Sequence, residues 1–103
     1  MNEYVWLHYL LPRTAWYELE TADRERYERE FERLRDVSVQ HGARFSGRVH
    51  IRGQGDYSQV EIWSFPSAEA AFEHWSRLVS GGYTKWFEFA NQLGTAEQNE
   101  RNK

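Results

Sequence analysis

Between residues 4 and 93 the spacing of apolar side chains changes from every second residue to every third or fourth and back again, and it does so twice. A period of two marks a strand and a period near 3.6 marks a helix. The chain therefore predicts strand-helix-strand followed by strand-helix-strand. At 103 residues there is room for one domain with one core.

Each segment has its own signals. Tyr4–Leu11 (YVWLHYLL) is aromatic and aliphatic throughout, stops at Pro12, and reads as a strand buried on both faces. Pro12–Glu20 is expected to be a loop. Thr21 is the expected N-cap of a helix over residues 22–40, with Tyr27, Phe31, Leu34 and Val37 or Ser38 as its narrow apolar stripe and Gly42 as its stop. The run RERYEREFERLR then reads as a solvated helix face laced with Glu and Arg pairs. Residues 43–52 and 57–65 alternate as two strands around a turn at residues 53–56. Ser67 caps a second helix with Ala68, Ala71, Phe72, Trp75, Leu78 and Val79 as its buried stripe. Residues 84–93 read as a short helix or a strand, and their alternation favours the fourth strand; Thr95–Lys103 is expected to be a polar, mobile tail.

This split βαβ order is the ferredoxin-like motif: an α+β unit with a four-stranded antiparallel sheet and two helices on one face. Residues 1–95 form the expected domain and 96–103 the tail. The apolar sets (Val5, Leu7, Leu11; Phe45, Val49, Ile51; Val60, Ile62; Phe87, Phe89, Leu93) are expected under the helices. The opposite face then carries Trp6, His8, Arg48, His50, Gln59, Glu61, Trp63, Trp86, Glu88 and Gln92. An open face bearing that many Trp exposes an apolar patch, which points to a paired sheet and an enclosed pocket. A homodimer is the expected assembly.

Composition narrows the partners. The net charge is −3, so nothing favours nucleic acid. The chain has no cysteine, which excludes disulfides and thiolate chemistry. No stretch is long and apolar enough to span a membrane, and residues 1–11 lack the layout of a signal peptide, so a cytoplasmic protein is expected. Aromatic residues are 17% of the chain and include five Trp. Trp is poor filler because its N–H needs a partner when buried.

The βαββαβ order, the short length and the aromatic-polar sheet face resemble the dimeric α/β barrel superfamily. That group includes antibiotic-biosynthesis monooxygenases, polyketide cyclases, muconolactone isomerase-like and stress-responsive proteins, and haem-binding members. The opening HYLLPRTAWYELETADRERY is similar in pattern to darcynin-like barrel proteins. The resemblance spans about residues 3–95 as architecture and implies a small-molecule enzyme or a ligand-binding dimer.

Particular residues carry the chemistry. His8 has an intrinsic pKa suited to proton transfer, and His50 is a second, more peripheral candidate. Glu61, mid-strand, is a carboxylate whose burial raises its pKa unless it is paired. The hairpin puts Arg48 directly opposite it, so a salt bridge is expected, and Arg48 can also hold an anion or oxyanion. Trp6, Trp63 and Trp86 would enclose an aromatic ligand, with Gln59 and Glu88 completing the substrate wall. His8, His50 and Glu61 are also donor types of a two-His, one-carboxylate metal site, and haem on an axial His is a further alternative. No local ligand spacing supports either, so no cofactor and no metal are expected. His41 and His74 read as surface or capping groups. The expected activity is cofactor-independent acid/base chemistry on a small aromatic or polyketide-like molecule, as a cyclase, isomerase or monooxygenase. A non-catalytic ligand-binding dimer is the alternative.

Overall fold

The computed structural model describes residues 3–53 and 55–95. The expected tail at 96–103 lies outside the described residues. Eight elements follow in order: β1 (Tyr4–Pro12), α1 (Thr14–Glu18), α2 (Thr21–Gln40), β2 (Arg44–His50), β3 (Gln59–Phe65), α3 (Ala68–Ser80), α4 (Tyr83–Trp86) and β4 (Phe87–Thr95). The sheet is antiparallel with strand order β2-β3-β1-β4. This is the ferredoxin-like α+β arrangement predicted from the alternating periods.

The helices form for local reasons. α2 is rich in Glu and Arg, both good helix formers, with Asp23 in its first turn. Its N-cap is Glu20, one residue before the expected Thr21. Ser67 does cap α3, its hydroxyl accepting from the Ala70 N–H at 3.1 Å. After α3, Gly82 takes the left-handed conformation at φ 87°, which glycine adopts without steric cost, and the chain turns into α4. Two short helices thus occupy segments expected to be a loop and the start of a strand. In β2 the register slips between Phe45 and Gly47. Gly47, at φ 139°, absorbs that bulge.

The helices cover the face opposite to the one expected. Trp6, His8, Leu10, Glu61, Trp63 and Phe65 are buried, beneath Phe31, Leu34, His74, Trp75, Leu78 and Tyr83 of the helical layer. Val5, Leu7, Tyr9, Leu11 and Ile62 are only half-buried on the other face, and Val49 there is 46% exposed. Aromatic rings explain the choice. The helices present Phe31, Trp75 and Tyr83, and packing these against Trp6, Trp63 and Phe65 buries more area than packing them on Val and Ile would. The α3 stripe shifts accordingly. Phe72 and Val79 are exposed, and His74 is wholly buried instead.

Candidate small-molecule site

Strand pairing sets one polar row across all four strands. Arg48 of β2 pairs with Glu61 of β3, Glu61 with His8 of β1, and His8 with Asn91 of β4. The next row on one side is Phe45, Trp63, Trp6 and Leu93, and on the other His50, Gln59, Leu10 and Phe89. A polar line thus runs between mostly apolar rows, beneath the helices.

Glu61 is fully buried and fully paired. Its Oε2 accepts from Arg48 Nη2 at 2.5 Å and Nε at 3.1 Å, and from Arg35 Nη2 at 3.1 Å. Its Oε1 accepts from Trp63 Nε1 at 3.0 Å. Burial alone would raise its pKa. Arg35 and Arg48 outweigh burial and hold it at about 2, so Glu61 is ionised at rest.

His8 is likewise buried with both ring nitrogens engaged. Asn91 Oδ1 lies 2.6 Å from Nδ1 and the Tyr83 hydroxyl 2.7 Å from Nε2. An amide oxygen only accepts, so Nδ1 carries the proton and Tyr83 donates to Nε2. Burial lowers the His8 pKa and raises that of Tyr83, so both are neutral near pH 7. His74 is bound at Nδ1 by the Ser38 hydroxyl at 2.5 Å. Its Nε2 has no partner among the described residues, and burial pushes its pKa down to about 3.

A cavity of about 330 Å³ opens between α2 and the sheet. Its lining includes Trp16, Phe31, Phe87, Tyr83, Arg35 and Arg48. A second cavity of about 270 Å³ shares Glu32, Arg35 and Arg48 with it. Tyr83 connects the first cavity to His8, which does not itself line it.

The structure gathers Trp6, His8, Arg48, Gln59, Glu61 and Trp63 on one sheet face. It separates the others. Trp86 lies on α4 rather than on a strand, packed on Trp16 and Tyr27. Glu88 is exposed and pairs with Leu11, on the far side of the sheet. His50 is exposed at the end of edge strand β2. Among the described residues no group of three His, Asp or Glu side chains is placed to hold a metal, so His8, His50 and Glu61 do not form one. Three contributors escaped the sequence. Arg35 stands in the charged run that reads as a solvated helix face, and no motif singles out Tyr83 or Asn91. The only signal for Arg35 was its place one residue after Leu34 and four after Phe31, beside the buried stripe.

No family model and no curated protein matches the chain. Solved structures do. A mutant chlorite dismutase from Candidatus Nitrospira defluvii matches with TM-score 0.76 at 14% identity, over 94% of this chain and 41% of that one. A haem-binding protein from Thermus thermophilus matches with TM-score 0.75 at 16% identity, over 100% and 44%. SnoaB, a cofactor-independent oxygenase from Streptomyces nogalater, matches with TM-score 0.58 at 16% identity, over 97% and 98%. The chain thus spans less than half the length of the first two and nearly all of SnoaB.

A haem-binding protein among these structures overturns the expectation of cofactor independence, because the same architecture carries haem elsewhere. A haem needs an axial donor facing its pocket. Among the described residues His8 has both nitrogens occupied, His74 is enclosed by Trp6, Trp63 and Phe65, and His41 and His50 are exposed. Tyr83 lines the cavity, but its raised pKa keeps it a phenol. In this arrangement the donor set does not fit a haem. Among the described residues no helix is long and apolar enough to cross a membrane. What the comparisons establish is the architecture: this chain has the ferredoxin-like α+β fold of SnoaB, the fold to which the barrel resemblance pointed.

Proposed function

We propose that the chain is a small-molecule enzyme of the dimeric α/β barrel type that moves a proton on an aromatic or polyketide-like substrate. The observation that supports this reading is the Tyr83–His8–Asn91 chain of hydrogen bonds leading from a cavity wall to a buried neutral imidazole. A substrate proton passes to the Tyr83 oxygen as the phenolic proton passes to His8 Nε2. The resulting imidazolium keeps its Nδ1–H on Asn91 and is stabilised by the Glu61 carboxylate on the neighbouring strand. Glu61 is not itself the base, because two arginines hold it ionised. It positions Arg35 and Arg48 at the cavity wall. Trp6 and Trp63 support the row from beneath, and Gln59 lines the cavity.

Pairing of two copies through the half-exposed aliphatic face completes the proposal. That face presents Val5, Leu7, Leu11, Val49 and Ile62 in one patch, which a second identical sheet would cover.

A second reading, a ligand-binding dimer without turnover, is favoured by the complete burial of His8 and the saturation of its nitrogens. The two separate on Tyr83→Phe, assayed against a panel of hydroxyaromatic compounds by calorimetry and by absorbance. An enzyme keeps binding and loses turnover by about 100-fold or more. A binder shows no turnover in either form.

A further inference from the structure

We propose that the ligand of this cavity is a planar aromatic acid in its carboxylate form, with its ring against Trp16, Phe31 and Phe87 and its charge at Arg35 and Arg48. The inference rests on reading the cavity as the substrate pocket and adds the ligand's charge and orientation.

The cavity lining is of two kinds. Leu10, Trp16, Phe31 and Phe87 are apolar, three of them aromatic, and Arg35, Arg48 and Gln59 are polar. The arginines come from different elements, α2 and β2, and meet at one carboxylate oxygen of Glu61. Two guanidinium charges against one buried carboxylate leave one positive charge over. Donors are left over as well. Arg35 Nε is buried and has no partner among the described residues, although the side chain is only 14% exposed. An unmet buried N–H on a charged group is costly, and a carboxylate matches the guanidinium fork. Glu28 and Glu32 also line the cavity, but both are exposed and solvated. Glu32 lies 3.6 Å from Arg35 Nη1, a contact on the wet side that water and salt screen. The Arg35 charge, far less solvated than Glu32, therefore decides the sign of the ligand.

The test compares 2-naphthoate with 2-naphthamide, the same ring with and without the charge, by calorimetry on the wild-type protein. Naphthoate should bind at least about tenfold more tightly. In Arg35→Gln and in Arg48→Gln the preference should shrink to about threefold or less, with the far-UV circular dichroism unchanged. In the wild-type protein, naphthoate but not naphthamide should shift the Nε–H resonances of both arginines. That measurement stands even where a variant fails to fold. Equal binding of the two compounds overturns the charge assignment and leaves the aromatic pocket standing. Binding of neither overturns the pocket reading as well. A preference that survives in both folded variants, or arginine resonances unmoved by bound naphthoate, removes these two residues from the site.

Discussion

Glu61 and His8 face each other on neighbouring strands, and each turns its polar atoms away from the other. Glu61 bonds to Arg35, Arg48 and Trp63, whereas His8 bonds to Tyr83 and Asn91. The two groups interact only through their charges. Glu61 is thus free to anchor the arginines while its field favours a proton on His8.

Removing the anchor should be costly. Glu61→Gln leaves Arg35, almost wholly buried, facing a neutral amide. Breaking one side of a buried ion pair costs about 3–5 kcal/mol. The retained amide oxygen and the half-exposed Arg48 place this case near the lower figure, read as a fall in the urea midpoint. Arg48→Gln should cost less, about 1 kcal/mol, because Arg35 still neutralises the carboxylate. An equal or larger loss in Arg48→Gln would refute this division.

Stability should fall steadily as the solution is acidified. Burial lowers the pKa of His74 to about 3, so below about 6.5 the unfolded chain takes up a proton that the native chain refuses. His8 acts in the same sense. Glu61, held at about 2 against an ordinary 4.5, adds to the loss below pH 4.5. Each group steepens the decline by up to about 1.4 kcal/mol per pH unit within its window. Urea titrations from pH 8 to 4 should show a plateau above 7 and a descent below 6. A His74→Phe variant that still folds should have a shallower descent between pH 6.5 and 4.5. An unchanged slope would show that His74 does not titrate in this range.

The aliphatic sheet face should hold two copies together. Light scattering at micromolar concentration is expected to give twice the chain mass, and Ile62→Lys, at the centre of that face, to give a folded monomer. A wild-type protein that runs as a clean monomer would remove the barrel.

Deleting residues 96–103 should change stability by less than about 0.5 kcal/mol, since the segment AEQNERNK has no large apolar side chain to bury. A loss of several kcal/mol in thermal or urea unfolding would show that the tail packs against the domain or its partner.

What the sequence by itself determined is local. The two periods set the order of strands and long helices. Ser67 set where α3 begins, and the short hairpin set Arg48 opposite Glu61, because a turn fixes the register of the strands it joins. The tertiary structure decided which face of the sheet the helices cover. A period of two separates the faces without ranking them, and here both were apolar enough to bury. The aromatic surfaces of α2, α3 and α4 settled it, by taking the Trp-bearing face and leaving the aliphatic one open. The same packing decided the site. Arg35 stood in a run of charge indistinguishable from a wet surface until α2 lay over β3. Tyr83 and Asn91 reach His8 across more than 70 residues of chain, and no spacing along the sequence records a contact made at that separation.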